Sequence, residues 1–459
     1  MLRIAKENKT DVIRQVSEGK MDAIVVSQTN LVDEIVLSMH QHGITSCIKH
    51  GFVDKRADNT TVPFDIMFTL AIAAKMKVHS SLSDIPHALK DHKTICGLGY
   101  SMYDTNRSIG AGLMSEGTIR ALLGKYAHEE FIEGYIKTVQ ENIMPKMNIS
   151  PTVHILDCTK IEVNTNNTNY EGSGLIKDER KFKRGYKVAT LRGICGKTGI
   201  IEDIRFGAIS QHDLSLSRDM LLESPVLKPG DTIINDKGFL SREIINILKT
   251  IKGVDTYVPL KTNMLAFKYA VDIAQEENKW AVHPNRRRNQ KITFVKNIGD
   301  HWVAGHPEDN VQLNACVVRD DATGTFFVFA TTDLTKSAAQ IVSTYELRPE
   351  IEEDYRQLKD FWELEDFKST KLNTILFHIV CVLLGYLFFQ LYTMLPDGKA
   401  FANKSLPVIL KNYESKVSGN YVIYVDDKFG VLSLLEIVEL YSRCCDEVKE
   451  RIKPLLEKA

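Results

Sequence analysis

The stretch YELRPEIEEDYRQLK, residues 345–359, carries the most informative pattern in this chain. At about 100° per residue, four side chains fall within one narrow sector of a helix: Tyr345, Arg348, Glu352 and Lys359. An apolar stripe beside them would pin such a helix to a core: Ile351, Tyr355, Leu358 and Trp362. The stretch therefore predicts a helix with one face for packing and one for chemistry, although a solvated amphipathic helix is the plainer alternative.

Pro349 indicates where this helix begins. Proline lacks the N–H group that a helix interior needs, and it disfavours helical dihedral angles at the preceding residue, Arg348. Proline is well suited, however, to the first position of a helix. We therefore expect the regular helix to start at Pro349, with Tyr345 and Arg348 on a preceding turn. Within the helix, Arg356 lies on the same stripe as Glu352 and is a candidate DNA contact.

Length and composition indicate a globular protein of two or three domains. The chain has 459 residues, of which 44% are hydrophobic and 25% are charged. Its net charge of −1 does not by itself indicate a nucleic-acid partner, so any basic surface must be local. The eight cysteines form no C-x-x-C pair, which argues against a zinc site. The N-terminal stretch is charged and unlike a signal peptide, so we expect a cytoplasmic protein with reduced thiols.

One apolar run is long enough to cross a bilayer. Residues 375–395 read ILFHIVCVLLGYLFFQLYTML. His378 and Gln390 interrupt this run, and a polar chain surrounds it. We expect a buried core helix, with a membrane span as the alternative.

The remaining patterns divide the chain into five regions. Residues 1–150 predict a helical N-terminal domain, either a DNA-end reader of the helix-turn-helix type around 81–90 and 115–120 or a packing domain. Residues 151–261 predict the first part of a mixed α/β core. We expect a β-rich insertion over 262–330, the rest of the core over 331–395, and a helical C-terminal region over 396–459 for dimerisation or DNA contact.

Three carboxylates stand at informative places in this core. VHILD ends on Asp157 and TIIND ends on Asp236, each a strand end, where open α/β sheets place their ligands. Glu352 is the third, on the helix described above. Carboxylates that are brought together repel one another and favour a hard cation such as Mg²⁺. A lone aspartate at a strand end is more often a turn residue, so the prediction depends on all three occurring together.

Two basic segments are candidate phosphate contacts. KDERKFKRGYKVATLR, residues 177–192, includes Arg184 and Lys187. PNRRRNQK, residues 284–291, includes three adjacent cations: Arg286, Arg287 and Arg288. Positive stripes of this kind follow nucleic-acid backbones, although each segment is also compatible with a solvated loop.

Two tryptophans fall in the predicted insertion. Trp280 and Trp302 are each suited to stacking on an unpaired base. A core role is the alternative that we favour for each of them.

Taken together, these motifs resemble those of a known family. Tyr345-x2-Arg348-x3-Glu352-x6-Lys359 resembles the Y-R-E-K signature of bacterial insertion-sequence transposases of the insertion-sequence-four family. LDCTKIEV around Asp157 and IINDKGF around Asp236 look like the first-aspartate and second-aspartate segments of that family. RGYKV, the pair His212-Asp213 and TTDLTKSAAQIVSTY are similar too.

The resemblance implies a ribonuclease-H-like catalytic core with a β-rich insertion between its second aspartate and its glutamate. It implies Asp157, Asp236 and Glu352 as ligands of two Mg²⁺ ions, for which Mn²⁺ would substitute. It implies Tyr345, Arg348 and Lys359 as contacts to transposon-end DNA.

The implied reaction is cut-and-paste transposition. Water attacks a phosphodiester at each transposon end, and the freed 3′-hydroxyl attacks target DNA after a hairpin step. The implied partners are double-stranded DNA, as terminal inverted repeats and target, and a second copy of the chain in a synapsed dimer, with no membrane. The implied location is the cytoplasm, on the nucleoid when DNA is bound. A non-catalytic DNA-binding regulator derived from a transposase is the alternative.

Overall fold

A computed structural model describes most of the chain. The described residues are 5–57, 62–79, 81–89, 91–98, 115–178, 181–196, 198–285, 287, 289–301, 311–402, 409 and 416–457. The chain divides into two compact units. The terminal unit comprises Met1–Gly134, Leu358–Ser369 and Asn373–Ala459, and the central unit comprises Tyr135–Gln357 and Thr370–Leu372.

Sixteen α-helices occur within the described residues. They are α1 (Lys9–Ser17), α2 (Leu31–Gln41), α3 (Ile48–Gly51), α4 (Phe64–Met76), α5 (His92–Gly97), α6 (Glu116–Leu123), α7 (His128–Ile136), α8 (Met144–Lys146), α9 (Asp213–Glu223), α10 (Arg242–Ile247), α11 (Leu265–Glu277), α12 (Ala338–Tyr345), α13 (Pro349–Asp360), α14 (Leu372–Met394), α15 (Leu434–Arg443) and α16 (Asp446–Leu456). Two π-helical segments, Lys137–Ile143 and Leu248–Lys252, continue α7 and α10.

Fourteen strands occur within the same residues. They are β1 (Lys6–Glu7), β2 (Ala23–Thr29), β3 (Val153–Val163), β4 (Gly174–Asp178), β5 (Lys181–Cys195), β6 (Thr198–Ala208), β7 (Thr232–Asn235), β8 (Asp255–Pro259), β9 (Ala281–Val282), β10 (Gln290–Val295), β11 (Asn314–Asp320), β12 (Thr325–Thr331), β13 (Lys416–Val425) and β14 (Lys428–Ser433).

In the terminal unit, the two ends of the chain share one sheet. Its strand order is β1-β14-β13-β2, so strands from the first 29 residues pair with strands near the C-terminus. Residues 1–150 and 396–459 therefore differ from the separate helical regions that the sequence predicts. The stretch 21–43, expected to be helical throughout, contains β2 before α2 begins at Leu31. The consecutive β-branched residues Ile24, Val25 and Val26 of β2 pair with β13, about 400 positions away, and only that pairing reveals the strand.

The apolar run at 375–395 forms α14, as a buried helix. Every residue from Ile375 to Phe389 is buried. The helix is long and apolar enough to cross a membrane, but 83% of its most apolar window is buried inside the protein. The expectation of a core helix is confirmed.

The central unit contains a ten-stranded mixed sheet. Its order is β4-β5-β3-β7-β8-β12-β11-β10-β9, and β6 also pairs with β5. The strands β3, β7 and β8 run parallel, and the remaining pairs are antiparallel. The mixed α/β character that the sequence predicts is therefore present.

The described residues of region 262–330 include four strands, β9 to β12, as the predicted β-rich character requires, but the region differs from the prediction in two ways. It contains a 13-residue helix, α11, whose buried residues Ala266, Ala270 and Ala274 recur every fourth position and lie in an apolar core. Its strands also continue the central sheet, because β12 pairs with β8. The run HWVAGH at 301–306 lies almost entirely outside the described residues.

The first predicted strand is longer than expected. VHILD forms only the first part of β3, which has 11 residues. Asp157 therefore lies in the middle of a strand and not at its end. The parallel pairing of β3 with β7 ends next to Asp157, at the pair Leu156–Asn235. Beyond that point β3 continues alone with β5.

Candidate active site

Three carboxylates surround a single guanidinium in the central unit. Arg348 Nη1 donates to Glu352 Oε1 at 2.6 Å, and Nη2 donates to Asp157 Oδ2 at 3.1 Å. Arg348 Nε lies 3.9 Å from Asp236 Oδ1. Residues separated by as many as 195 positions in sequence, 157 and 352, thus meet at one cation.

The sheet brings the two aspartates together. Because Leu156 and Asn235 are register partners on parallel strands, the next residues, Asp157 and Asp236, emerge side by side. The accessibility of the three acids increases outward from the sheet. The side chain of Asp157 is 13% exposed, that of Asp236 is 30% exposed and that of Glu352 is 54% exposed. Asp157 therefore forms the floor of the cluster.

Two hydrogen bonds hold Asp157 in position. The Cys158 N–H donates to Asp157 Oδ1 at 2.8 Å, and the Tyr355 hydroxyl donates to the Asp157 main-chain carbonyl at 2.8 Å. The same hydroxyl lies 2.7 Å from Thr190 Oγ1. Burial raises the pKa of Asp157 to about 6, against the opposing effect of the Arg348 charge.

A buried ion-pair cluster fixes the helix that carries Glu352. Arg192 on β5 donates from Nε to Asp354 Oδ2 at 2.5 Å and from Nη1 to Glu350 Oε2 at 2.9 Å. Gly199 leaves room for this guanidinium, since a Cβ there would lie 2.0 Å from Arg192 Cζ. The sequence analysis missed Thr190, Arg192 and Asp354. The available signal for Thr190 and Arg192 was that two polar residues share one face of an otherwise apolar stretch of β5, residues 188–194.

The predicted helix begins at Pro349, as the sequence indicated. Arg348 lies in the preceding turn, whereas Tyr345 is the last residue of α12 and not a turn residue. The Tyr345 ring stacks on Phe329 at a centroid distance of 4.6 Å. Burial raises the pKa of the Tyr345 phenol. The predicted apolar stripe is buried, because all four members are at most 7% exposed: Ile351, Tyr355, Leu358 and Trp362. The first three lie on α13 as predicted, whereas Trp362 lies beyond the end of this helix at Asp360.

Two of the candidate DNA contacts on β5 have partners within the fold. Lys187 is 8% exposed, and its ammonium donates to the Gln211 carbonyl and to Asp213 Oδ1 at 2.5 Å. Arg184 donates to the Thr165 carbonyl at 3.2 Å and to Ser173 Oγ at 3.3 Å. Both cations therefore hold elements of the central unit together, which a count of charges along the sequence does not reveal.

Three further candidates form ion pairs near the protein surface. Arg356 bonds Glu353 through two nitrogens, at 2.7 and 2.6 Å. Lys359 lies 3.2 Å from Glu365, and Arg287 lies 2.8 Å from Glu346. Surface ion pairs of this kind are weak, typically below about 1 kcal/mol, so DNA phosphates can compete for these cations.

Arg286, Arg288 and Trp302 lie outside the described residues. Trp280 is described, and it packs against the apolar core beneath α11. The Arg319 guanidinium lies 4.3 Å from the centroid of its ring. This is the core role that the sequence analysis favoured for Trp280.

The donor set suits a hard divalent cation. All three acids offer oxygen ligands, and each has an oxygen within 3.9 Å of the same positive group. Within the described ranges, no three His, Cys, Asp or Glu side chains are already close enough to hold a metal ion by themselves. The guanidinium of Arg348 stands between the three acids.

Comparison with known proteins identifies the family. Residues 149–388 match the model of a transposase DDE domain, which covers more than half of the chain and includes all three carboxylates. No curated protein matches the chain significantly. The mixed sheet with helices agrees with the ribonuclease-H-like fold of such domains. The chain therefore belongs to the family of transposases with a DDE domain.

Proposed function

We propose that this transposase excises and inserts an insertion sequence by a cut-and-paste route, hydrolysing a phosphodiester at each end of the element and then joining the ends to target DNA. The observation that supports this proposal most directly is the convergence of Asp157, Asp236 and Glu352 on one guanidinium. The relationship to the insertion-sequence-four family through the Tyr345-Arg348-Glu352-Lys359 pattern is part of the same proposal.

The three carboxylates would hold two Mg²⁺ ions, with Mn²⁺ as a substitute. When bound, such ions would supply activation of the attacking oxygen and charge stabilisation of the leaving one. Asp157, the most buried of the three acids, would be one of the residues that hold them. Its position is set by Cys158 and Tyr355, so the ligand geometry is determined before DNA arrives.

Arg348 has a second task in this proposal. The oxygens that would bind metal are the ones that now accept its hydrogen bonds. On metal binding, the Arg348 guanidinium must release at least some of these hydrogen bonds. It then faces the space between the acids as a cation that has several free N–H donors. A planar guanidinium binds a phosphate through paired hydrogen bonds. We infer that Arg348, with Tyr345, Lys359 and Arg356 as further contacts, holds the phosphate next to the scissile bond.

The partners in this proposal are double-stranded DNA and a second copy of the chain. The DNA is first the terminal inverted repeat and later the target site. Two copies would each hold one end of the element in a synapsed complex, in the cytoplasm on the nucleoid.

The test uses DNA taken from either side of the gene. End duplexes are incubated with the full-length protein and Mg²⁺, and strand cleavage is followed on denaturing gels. We expect Asp157→Asn, Asp236→Asn and Glu352→Gln each to reduce cleavage by about 10³-fold or more while duplex binding changes little, because each amide removes a charged metal ligand.

Glu353→Gln is the matched control. Glu353 is the next residue of the same helix and pairs only with Arg356 and Gln357 among the hydrogen bonds observed for it. Its variant should cleave like the wild type. Normal cleavage by any variant of the three acids would remove that acid from the site, and binding without cleavage by the wild type would instead support a DNA-binding regulator.

A further inference from the structure

Beyond Asp157, three strands extend past the candidate active site as a tongue. We define the tongue as residues 161–163 of β3, 181–186 of β5 and the whole of β4. The pairs Val163–Arg184 and Leu175–Arg184 show that β3 and β4 flank β5 on its two sides.

The two faces of the tongue have different charge patterns. Residues directly opposite each other in an antiparallel pair lie on the same face, and successive residues alternate between faces. Counting from the pair Asp157–Thr190, the face that carries Asp157 also carries seven residues of the tongue: Ile161, Val163, Leu175, Lys177, Phe182, Arg184 and Tyr186. Ile161 and Tyr186 are buried, and none of the seven is acidic.

The acidic strand residues lie on the opposite face, where they are neutralised. Asp178 Oδ2 accepts a hydrogen bond from Lys160 at 2.9 Å and lies 3.4 Å from the Lys183 ammonium. Glu162 Oε1 accepts a hydrogen bond from Lys183 at 2.7 Å. The opposite face is therefore close to neutral, whereas the face of Asp157 is positive.

Large apolar side chains are exposed on the positive face. Phe182 is 59% exposed and Leu175 is 45% exposed, and Lys177 lies exposed opposite Phe182. Among the described residues, Lys177 has no carboxylate partner. An exposed ring and an aliphatic group between two cations form a surface of the kind that contacts sugars and base edges while phosphates bind on either side.

The tongue is held rigidly against the sheet. Gly185 at its base has φ +156°, and a Cβ there would lie 1.9 Å from the Ile161 carbonyl oxygen, so β5 approaches β3 as only glycine allows. Arg184 and Tyr186 tie the adjoining loop to β5 through the Thr165 and Glu171 carbonyls. The surface is therefore formed before any partner binds.

We propose that the positive face of the tongue binds duplex DNA on one side of the cleaved phosphate, with Phe182 as its central contact. This rests on the proposed function. Phe182 lies eight residues along β5 from Thr190, the register partner of Asp157. At about 3.3 Å per residue this is about 26 Å, or about eight base pairs at 3.4 Å each. Glu171 of the adjoining loop is already paired with Lys371 at 2.6 Å, so it does not oppose a polyanion.

The experiment measures how binding depends on DNA length. Fluorescent end duplexes carry about 4 or about 14 base pairs on either side of the scissile phosphate, and their affinity for the full-length protein is measured by anisotropy. The wild type should bind one of the long duplexes about tenfold more tightly than the short one. Phe182→Ala should lose most of this gain, and Phe182→Trp should keep it. Lys177→Gln should reduce the slope of log affinity against log salt by about 0.9, the value for one phosphate.

Two variants away from the tongue serve as controls. Ile251→Ala truncates a side chain that is 76% exposed, and Lys146→Gln removes an exposed cation that precedes the start of β3. Both should bind like the wild type. The inference is overturned if Phe182→Ala and Lys177→Gln retain the full length dependence and salt slope while the wild type binds and cleaves. It is also overturned if Phe182→Ala instead dissociates a dimer. Failure of the wild type to bind any end duplex would overturn the proposed function as well.

Discussion

Strand β3 carries two charge clusters, three residues apart, that both place acids around one basic side chain but differ in their burial. At Asp157, three acids surround the Arg348 guanidinium. At His154, the ring nitrogen Nδ1 lies 2.8 Å from Glu202 Oε2, and Nε2 lies 3.3 Å from Asp231 Oδ2. Each cluster thus places carboxylates around one basic side chain.

The clusters differ in how far water reaches them. The side chains of His154 and Glu202 are 0% exposed and that of Asp231 is 6% exposed, whereas Glu352 at the other cluster is 54% exposed. A buried acid cannot exchange its partner without a large desolvation cost, but an exposed acid can. The comparison teaches that similar charges on one strand are locked into the fold where they are buried and remain open to a change of partner where they are exposed.

The largest expected effect is on the free energy of unfolding, when the His154 cluster is broken. His154→Leu leaves Glu202 and Asp231 buried without their shared partner, and breaking such a pair costs about 3–5 kcal/mol. We expect the urea midpoint of the central unit to fall accordingly. Lys279→Ala, which breaks a pair at a side chain that is 77% exposed, should change stability by less than about 0.5 kcal/mol. Equal losses in the two variants would show that the His154 cluster is not structural.

A smaller effect concerns the replacement of the Arg348 guanidinium by a divalent cation at the exposed Asp157 cluster. Arg348→Ala removes the group that competes with a divalent ion for the three acids. We expect Mn²⁺ to bind this variant about tenfold more tightly than the wild type, measured by calorimetry without DNA. The electrostatic interaction between the Arg348 charge and an acid is worth up to about 4 kcal/mol at 4 Å. The expected gain in Mn²⁺ affinity is smaller, because metal binding to the wild type displaces this charge and does not remove it. Weaker Mn²⁺ binding by Arg348→Ala would mean that the guanidinium organises the acids and does not compete for them.

The smallest effect is a pH dependence of the stability that the buried His154 cluster contributes. Burial alone would lower the pKa of His154, but the hydrogen bond and charge of Glu202, with the charge of Asp231, raise it above its ordinary value of 6.5. The folded state therefore binds this proton more tightly than the unfolded state. Its stabilising contribution is fully present below about pH 6.5 and is lost as the pH rises through the folded pKa.

The measurement is the stability difference between the wild type and His154→Leu. It should shrink with rising pH above about 6.5, by no more than about 1.4 kcal/mol per pH unit for one proton. A difference that grows with pH would contradict a charged His154.

Local sequence patterns predicted one part of the candidate site well. Pro349 indicated the first residue of the helix, and the spacing of Ile351 and Tyr355 indicated its buried face, because both properties depend on neighbours within a few residues. The sequence did not indicate that Lys187 and Arg184 are bonded within the fold, to partners 26 and 19 residues away. A charge in the sequence does not indicate whether the fold gives it a partner.

The sequence by itself determined the identity and order of the three acids, the start of the helix that carries Glu352, and the apolar character of α14. These follow from residue chemistry and short periodicities. Only the tertiary structure decided that the acids meet at Arg348, that Arg192 clamps their helix, and that the two chain termini share a sheet. Those outcomes depend on strand register and on packing between residues hundreds of positions apart, which no local pattern encodes.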